Sequence, residues 1–494
     1  MKLTFFLLTL ASWAQTAVHR VHPVLIRNEQ NELMEFALNG GGNLRSVTCH
    51  FRGEAALEAV EIVSMPDKRV FASAKPARAV MFRGDMPVGK GVFWLSARVK
   101  ANAPLSGRVS GWCDSVTTTN GEAAIRGATP AVSRRIGVAL RKHGDDGVDT
   151  YRIPALATSP KGTLLAVYDM RRRKPRDLQE DIDIGLSRSS DGGRTWESPR
   201  VIMDMGEYGG LPQEQNGCSD PGIIVDEKTG EIIVFAVWMN GQPGKHQWLD
   251  DGSLPGYEIG KTAQLLMVRS TDDGRTWSKP ENLTRVLKKE AWWLLAPAPQ
   301  QGINMPDGKL VMPMQGRDED GVPFATIMVS GDHGKTWTLG APAHSRGNEC
   351  QAARLSDGSI MLNIRNDGVK YRAVYVTKDL GRTWTAHSTN ANTLIEPPAN
   401  GSLFAFRNML LFANARSQTA RTHHTLQIST DDGTTWPEKM RLLLDEGRGR
   451  GYPSITRVDR DHIGIVYEGS RADMTFEKLS IKELMSRATT TGGK

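Results

Sequence analysis

The sequence predicts an all-β protein, a six-bladed β-propeller preceded by a small β-sandwich domain. The first supporting observation is that 50 of the 494 residues are glycine and 25 are proline, which is typical of many turns joining short strands. The second is an eight-residue turn pattern that recurs along the chain, and the third is a set of turn-then-strand segments that alternates with it. With 39% hydrophobic and 24% charged residues, the composition excludes a collagen-like or largely disordered chain.

Residues 1–14 have the three parts of a signal peptide. Lys2 supplies a positive charge, an apolar run follows it, and Ser12 and Ala14 place small residues where a signal peptidase reads the chain. The apolar run is too short to span a bilayer. We therefore expect an exported protein, secreted or periplasmic, that is cleaved after Ala14 and has no membrane span. A buried first strand or a short anchor is the alternative.

Residues 15–130 form the predicted β-sandwich domain, and whether this domain binds carbohydrate is left open. Three apolar runs in it are typical of strands, at residues 24–26, 34–38 and 92–97. The stretch 115–133 is rich in Thr, Gly, Ala and Ser and indicates a linker to the next domain.

The chain has four cysteines, too few for a disulfide scaffold. Cys49 and Cys113 fall in one region and could pair, since export permits disulfide bonds. Cys218 and Cys350 have no obvious partners. None of the four has the Cys-x-x-Cys spacing of a zinc site, so we expect no thiolate-bound metal.

The recurring turn pattern is Ser/Thr-x-Asp-x-Gly-x-Thr-Trp. Its aspartate can accept hydrogen bonds from nearby backbone N–H groups, its glycine can take a positive φ, and its tryptophan can bury a large apolar face against the hairpin. Each part of this account is structural, so we expect these aspartates to have no catalytic role. The copies are Ser189–Trp196, Ser270–Trp277, Ser330–Trp337, Thr377–Trp384 and Ser429–Trp436.

Six turn-then-strand segments interleave with these copies, and each of the first five precedes one Trp-ended turn. Repeats of about four strands over residues 135–485 are typical of a six-bladed propeller. The last repeat lacks its own Trp-ended turn, and a strand from residues 135–150 can replace it when the ring closes. The segments lie at residues 161–167, 229–235, 307–312, 357–362, 407–412 and 460–466.

Arginines that the repeat does not need stand at strand ends in several repeats, namely Arg152, Arg365, Arg416 and Arg421. Guanidinium groups that converge from different repeats would form a receptor for a carboxylate or phosphate. A surface or structural salt bridge explains any one of them alone. The net charge of +7 is compatible with an acidic ligand, and the lack of any Lys/Arg run longer than residues 171–174 argues against a nucleic-acid partner.

Tyr151-Arg152-Ile153-Pro154 ahead of several Trp-ended turns resembles the exo-α-sialidases, or neuraminidases, in their non-viral form with Asp boxes, also called BNR repeats. The resemblance covers about residues 138–475, and the preceding region resembles more weakly the β domain of some secreted bacterial sialidases. It implies hydrolysis of terminal α-linked sialic acids from glycoproteins, glycolipids such as gangliosides, and oligosaccharides. It implies no cofactor and no catalytic metal.

The resemblance also implies which arginines bind the substrate. Arg152, Arg365 and Arg421 match the three that hold its carboxylate. Arg416 is an alternative to Arg421, because the family's Asn-Pro ahead of the third arginine is absent here. Arg171 resembles an additional arginine near the substrate.

Three further residues match the family's catalytic groups: Asp177 the acid/base, Glu349 the residue that activates the nucleophile, and Tyr452 the nucleophile. Glu468 resembles the carboxylate that orients Arg152. The proline after Tyr452 departs from the serine that sialidases often have there. A tyrosine suits this substrate because a carboxylate nucleophile would be repelled by the anionic group on the reacting carbon.

Two other functions stay open at this point. One is a non-catalytic Asp-box propeller that binds glycans or proteins, which would not need the catalytic set, and the other is a trans-sialidase that uses the same site. An extra loop over residues 240–260 lengthens the second repeat. Its polar and aromatic residues are candidates for a rim that contacts the aglycone, with a plain surface loop as the alternative: His246, Trp248, Asp250 and Tyr257.

Overall fold

The computed structural model describes residues 16–38, 41–89, 91–129, 131–178, 180–239, 248 and 252–489. The chain divides into two compact units, Met1–Gly137 and Val138–Lys494. Both are built mainly from antiparallel sheets, which confirms the predicted all-β class. The predicted signal peptide lies outside the described residues.

Unit 1 contains two sheets. Its strands are β1 (Ala17–Val18), β2 (Val24–Ile26), β3 (Asn31–Ala37), β4 (Asn43–Arg52), β5 (Leu57–Ser64), β6 (Arg69–Ala74), β7 (Ala79–Pro87), β8 (Val92–Val99), β9 (Arg108–Thr118), β10 (Gly121–Ala124) and β11 (Arg134–Arg141), the last of which continues into unit 2. One sheet has the order β1-β3-β8-β5-β6, and the other places β4 between β9 and β7. A side chain at Gly111 would collide with Leu33 and Leu95 of the other sheet, so the two sheets face each other.

Cys49 on β4 and Cys113 on β9 lie opposite each other and form a disulfide bond, the pairing that the sequence allowed. The predicted linker is wrong in its first part. Strand β9 continues to Thr118, and a turn at Asn120 leads into β10, which pairs back onto it. The β-branched threonines and valine of this stretch favour a strand, and this outweighs its polar composition.

Unit 2 contains, among the described residues, six successive sheets based on four strands each. Sheet 1 has β12 (Thr150–Thr158), β13 (Leu164–Arg171), β14 (Ile182–Ser189) and β15 (Arg200–Met203). Sheet 2 has β16 (Cys218–Val225), β17 (Ile232–Trp238), β18 (Gln264–Ser270) and β19 (Glu281–Asn282), followed by the short helix α1 (Thr284–Leu287). Sheet 3 and its connections have β20 (Leu294–Pro297), β21 (Gln300–Gln301), β22 (Ile303–Asn304), β23 (Leu310–Arg317), β24 (Pro323–Ser330), β25 (Thr338–Leu339) and β26 (His344–Ser345).

The remaining three sheets follow the same plan. Sheet 4 has β27 (Gly347–Arg354), β28 (Ile360–Asn366), β29 (Ala373–Thr377) and β30 (Thr385–Ala386). Sheet 5 has β31 (Ser402–Phe406), β32 (Met409–Ala415), β33 (His424–Ser429) and β34 (Arg441–Asp445). Sheet 6 has β35 (Pro453–Arg457), β36 (His462–Tyr467) and β37 (Met474–Ser480), and helix α2 (Ile481–Thr489) follows it. Within the described ranges, no helix is both long and apolar enough to cross a membrane.

The last sheet takes its fourth strand from the start of unit 2. Residues 138–141 of β11 pair with β37. This confirms that a strand from residues 135–150 completes the last repeat, which lacks its own Trp-ended turn. Strand β12 of sheet 1 contacts β16 of sheet 2 and β35 of sheet 6. The backbone N–H of Leu156 donates to Ser454 Oγ at 2.9 Å, a hydrogen bond between the first strands of sheets 1 and 6. The inner strands are buried on both faces, which explains their continuous apolar runs.

The Asp-box turns join the third and fourth strands of sheets 1 to 5. In the first copy, Asp191 accepts the backbone N–H of Thr195 at 3.0 Å and the hydroxyl of Thr195 at 2.6 Å. Ser189 closes the turn by accepting the backbone N–H of Gly193 at 2.9 Å. Trp196 donates its indole N–H to the Gly193 carbonyl and packs edge-on against Phe476 of sheet 6. The boxes therefore stabilise the hairpins and the contacts between sheets.

Candidate active site

A β-bulge interrupts the ladder near the beginning of the first strand in sheets 1, 2 and 4. Such bulges re-aim side chains away from the regular pleat. Arg152 and Glu349 lie at two of these bulges and reach partners on other sheets. The register shifts fall between Arg152 and Ala155, between Ser219 and Gly222, and between Gly347 and Cys350.

Tyr452 and Glu349 form the closest functional contact of the site. The Tyr452 hydroxyl donates to Glu349 Oε1 at 2.5 Å, and both side chains are buried. Gly451 precedes the tyrosine with φ of 100°, and a Cβ there would lie 3.2 Å from the Arg421 side chain. Burial first, and then the negative charge of Glu349, raise the pKa of Tyr452 well above its ordinary value, whereas Arg365 and Arg421 lower it. The group is therefore a neutral phenol whose proton already faces a base.

Arg365 lies at the end of β28 and bridges these two residues. Its Nη1 donates to Glu349 Oε2 at 2.8 Å and lies 3.4 Å from the Tyr452 hydroxyl, while its Nε donates to Asp367 at 3.1 Å. Burial lowers the pKa of the Arg365 guanidinium, but the negative charge of Glu349 outweighs it and raises that pKa well above its ordinary value. Arg365 is thus a fixed positive charge beside the phenol.

Arg152 reaches the site from β12 of sheet 1. Its Nε donates to Glu468 Oε1 at 2.8 Å, and its guanidinium carbon lies 5.4 Å from the centre of the Tyr452 ring. Glu468 also accepts the backbone N–H groups of Ile153 at 2.8 Å and Tyr452 at 3.2 Å. Burial raises the pKa of Glu468, but Arg152 outweighs it and lowers that pKa below its ordinary value. The Glu468 carboxylate therefore holds the Arg152 side chain and the backbone of both Ile153 and Tyr452.

Arg421 covers the other part of the Tyr452 ring. Its guanidinium carbon lies 5.6 Å from the ring centre, and it donates to the carbonyls of Arg450 at 2.8 Å and Pro398 at 2.6 Å. No ring or hydrogen-bond contact joins the side chain of Arg416, the alternative that the sequence left open, to Tyr452 among the described residues, whereas Arg421 has such a ring contact. The structure therefore brings Arg421 together with Arg152 and Arg365 around Tyr452.

Asp177 lies in the loop after β13, next to two arginines. Arg171 Nη1 donates to Asp177 Oδ1 at 2.6 Å, and Arg152 Nη1 lies 3.5 Å from the same oxygen. Asp169 in turn fixes Arg171 at 2.9 Å from within the buried strand. The Asp177 side chain is 42% exposed, so this carboxylate contacts solvent as well as the two arginines.

Two buried aspartates of the site were not singled out from the sequence. Asp169 accepts the backbone N–H of Asp220 at 3.1 Å, and Gln315 donates to Asp220 from sheet 3 at 3.4 Å. Burial, and then the negative charges of Glu349, Asp169 and Asp177, raise the pKa of Asp220 well above its ordinary value. The signal for Asp220 was a charged residue followed by proline at the beginning of an otherwise apolar inner strand.

A buried ion pair between Glu396 and Arg372 contacts the residue that follows Arg365. Glu396 accepts the Asn366 backbone N–H at 2.7 Å and an Arg372 N–H at 2.6 Å. Arg372, which is fully buried, donates also to Asn363 Oδ1 at 2.6 Å and to the Ala399 carbonyl at 3.1 Å. The pair thereby connects the strand that carries Arg365 to the segment that packs against Tyr452. Nothing in the spacing of these residues indicated it.

Two residues of the extra loop, His246 and Asp250, lie outside the described residues. Trp248 packs against a buried apolar cluster that includes Leu178, the neighbour of Asp177. The guanidinium carbon of Arg285, on helix α1, lies 5.0 Å from the centre of the Tyr257 ring. Tyr257 therefore packs against helix α1. In the described part of the chain, no three His, Cys, Asp or Glu side chains lie together in a way that could hold a metal ion.

Comparison with known proteins identifies this arrangement. A family model described as a BNR repeat-like domain matches residues 162–466. A sialidase of Bacteroides fragilis is 41% identical over 83% of this chain and 77% of its own length. The chain belongs to the sialidase family. A second sialidase, from Micromonospora viridifaciens, is 32% identical over 67% of this chain and 51% of its own length.

The solved structures agree with this membership. A Hadza microbial sialidase superposes with a TM-score of 0.88 at 35% identity, covering 95% of this chain and 99% of its own. Its membership of the sialidase family makes the present chain a glycoside hydrolase. Its buried phenol, paired glutamate and arginines from sheets 1, 4 and 5 form the candidate active site of a hydrolase that acts on an acidic sugar.

Proposed function

We propose that the protein is an exo-α-sialidase that hydrolyses terminal α-linked sialic acids on glycoproteins, glycolipids and oligosaccharides. The observation that carries the proposal is the 2.5 Å hydrogen bond between Tyr452 and Glu349 inside a group of three arginines. We further propose that residues 135–485 form a six-bladed β-propeller, which the contact of sheet 1 with both sheet 2 and sheet 6 supports. Residues 15–130 would be a β-sandwich domain ahead of it.

Arg152, Arg365 and Arg421 would hold the substrate carboxylate. Three guanidinium groups around one ring can make charge-assisted, partly bidentate hydrogen bonds that fix the anomeric carbon in place. Each arginine is held by a protein group before substrate arrives: Glu468 orients Arg152, Glu349 orients Arg365, and two carbonyls orient Arg421. Little reorganisation would therefore be needed on binding.

Tyr452 would be the nucleophile. Glu349 takes the phenol proton as the oxygen attacks the anomeric carbon, and a covalent bond between tyrosine and sugar forms as the glycosidic bond breaks. Because burial keeps the free phenol neutral, no oxyanion repels the incoming carboxylate. The positive charges of Arg365 and Arg421 stabilise the phenolate as it develops.

Asp177 would deliver a proton to the leaving oxygen and later activate the water that releases the sugar. Asp177 lies near two guanidinium groups, which favour its charged form. When the substrate carboxylate engages Arg152, Asp177 loses part of that attraction and is covered by the sugar, and both changes favour protonation. Two displacements at the same carbon give retention of configuration.

The test is release of a fluorescent aglycone from an α-sialoside, with NMR identification of the first anomer released. The parent enzyme should release the α-anomer, and Tyr452→Phe should lose on the order of 10³-fold or more in kcat. Tyr467→Phe is the matched control, because the buried Tyr467 hydroxyl donates at 2.8 Å to Glu477 rather than to Glu349. No turnover by the parent on any sialoside would reject the hydrolase, and unchanged turnover by Tyr452→Phe would reject the nucleophile.

We also propose that the protein is exported after cleavage behind Ala14, as the charge and apolar run of residues 1–14 support. N-terminal sequencing of the protein recovered outside the cytoplasm should begin at Gln15. A full-length chain retained in the cytoplasm would contradict this proposal and leave the catalytic proposal untouched.

A further inference from the structure

A cavity borders the site on the side of Glu468. Its volume is about 330 Å³, and it opens to solvent between the loop after β11 and the loop after β36. None of the catalytic groups Asp177, Glu349 and Tyr452 lines it. The charged residues of its wall are Lys142, His143, Arg450, Glu468, Arg471 and Asp473.

Arg450 is the residue in this wall that lacks an ionic partner. Its backbone is engaged, since its carbonyl accepts Arg421 and its N–H donates to the Glu468 carbonyl at 3.2 Å. Within the described ranges, however, its half-buried guanidinium makes no hydrogen bond and no ion pair. A guanidinium has five N–H donors, and leaving them half-buried without acceptors costs free energy.

The two carboxylates of the wall are engaged elsewhere. Glu468 accepts from Arg152, Ile153 and Tyr452, which face the catalytic site. Asp473 accepts the backbone N–H of Tyr151 at 3.0 Å. The cavity wall therefore carries three permanently positive side chains and two carboxylates, of which both Glu468 oxygens and one Asp473 oxygen already accept other donors. This balance of charges favours the binding of an anion in the cavity.

The cavity is coupled to the catalytic site through Glu468. This residue holds Arg152 through its side chain and Arg450 through its backbone. Burial, and then the positive charge of Arg152, lower the pKa of Arg450, although the negative charges of Glu468 and Asp473 oppose this change. The guanidinium groups of Arg152 and Arg450 therefore repel each other, and the two carboxylates offset this repulsion only in part.

We propose that this cavity is a second anion subsite, in which Arg450 binds an acidic group carried by the sugar attached to the scissile sialic acid. The proposal rests on the proposed function. An anion on the aglycone would supply the acceptor that Arg450 lacks and would neutralise the charge next to the three carboxylate-binding arginines. Two common glycan groups have this chemistry: the carboxylate of a second sialic acid and a sulfate ester.

The experiment compares kcat/KM for three substrates in the full-length enzyme: a sialyl-lactose without a second acid, an α2,8-linked disialyl-lactose, and a sialyl-lactose with a sulfated galactose. The parent should favour one or both of the diacidic substrates. Arg450→Ala should lower the ratio of diacidic to monoacidic kcat/KM about tenfold, the effect of one lost charge-assisted hydrogen bond. Arg450→Lys should lower it less, because the charge remains.

Arg448→Ala is the matched control. Arg448 lies in the same glycine-rich loop, is exposed and does not line the cavity, so its loss removes one positive charge without removing the proposed contact. Its substrate ratio should equal that of the parent. The diacidic substrate whose ratio falls identifies the anion as carboxylate or sulfate.

The possible failures are distinguishable. An active parent whose substrate ratios are the same in Arg450→Ala and Arg448→Ala overturns the subsite and leaves the proposed function intact. Equal losses in both variants would assign the effect to overall charge and would also overturn it. A parent that turns over no sialoside rejects the proposed function and this inference together.

Discussion

The two ends of the same six sheets use carboxylate side chains in opposite ways. At the Asp-box end, a carboxylate such as Asp191 is exposed and takes its donors from within four residues of itself. At the active-site end, Glu349 and Glu468 are buried and meet partners that are 103 and 316 residues away in sequence. Local partners make a turn that any sheet can use, whereas remote partners depend on the assembly of several sheets. Stability and catalysis are thereby separable in this fold.

The largest effect should come from Arg365. Removing its guanidinium by Arg365→Ala leaves Glu349 buried without its cation and takes away one of three carboxylate-binding groups. We expect a loss on the order of 10²–10³-fold in kcat/KM, with an unfolding temperature close to that of the parent. Steady-state kinetics on an α-sialoside and thermal unfolding of the same preparation measure both quantities.

A methyl-ester substrate is the control for this variant. Without a carboxylate, the ester should be a poor substrate of the parent, and Arg365→Ala should slow it much less than it slows the acid. An ester turned over as fast as the acid by the parent would contradict the arginine receptor.

Glu396 should have a smaller effect, because it acts through the backbone beside Arg365. We treat it as a positioning residue, since it accepts the Asn366 N–H and the Arg372 guanidinium and touches no reacting atom. Glu396→Ala should raise KM about tenfold or more and change kcat less, because the carboxylate receptor is displaced while the Tyr452–Glu349 pair is kept. Glu396→Gln, which still accepts the Asn366 N–H, should recover part of the loss.

The control for Glu396 is a second ion pair in the same unit. Glu231 and Arg269 contact at 3.1 Å in sheet 2, where both are partly exposed and far in the fold from Tyr452. Glu231→Ala should leave KM at the parent value. Equal changes of KM in both variants would show that Glu396 contributes only to stability.

The same contrast explains what sequence reasoning could reach. The Asp boxes were predictable because donor and acceptor share eight residues, so the pattern itself contains the interaction. The six turn-then-strand segments were predictable because apolar strands after glycine turns have a short-range signal, as Leu164–Val167 illustrates. The catalytic residues could be named only through the resemblance of short motifs such as Tyr151–Pro154 to a family.

Features with remote partners were out of reach. Asp220 lies at the bulge of β16 and meets Asp169 of β13, which is 51 residues away in sequence, and Arg372 and Glu396 meet across a connection without any motif. The hairpin of β9 and β10 was missed for a different reason, since polar composition was given more weight than β-branched side chains.

A smaller and purely structural effect should follow from removing one box carboxylate. Asp191→Ala leaves the Thr195 N–H, the Thr195 hydroxyl and the Ser189 hydroxyl without their common acceptor. We expect the unfolding temperature to fall by about 2–5 °C and kcat/KM to stay within about twofold of the parent. Differential scanning calorimetry measures the unfolding temperature, and steady-state kinetics measures kcat/KM. A loss of activity without a loss of stability would contradict the view that the Asp-box end contributes to stability and not to catalysis.

The smallest effect concerns pH. The Thr336 hydroxyl, and then its backbone N–H, lower the pKa of box residue Asp332 to about 2 from 3.8. Because the folded value lies below the unfolded one, Asp332 stabilises the fold above about pH 4, and this contribution is lost as the pH falls towards 2. Burial raises the pKa of Asp183, at the active-site end of β14, to about 6 although Arg172 opposes it. The contribution of Asp183 to folding stability is therefore present below about pH 4 and is lost as the pH rises through 6.

The two aspartates should consequently change the pH profile of stability in opposite directions. Unfolding temperatures measured from pH 3 to pH 8 should fall less steeply at the acid end for Asp332→Asn than for the parent. For Asp183→Asn, the decline between pH 4 and pH 6 should become shallower, and each change should amount to a few degrees. If both variants shifted the profile in the same direction, the difference between carboxylates with local and remote partners would not extend to their protonation. The boxes and the buried strands would then share one electrostatic environment despite their different partners.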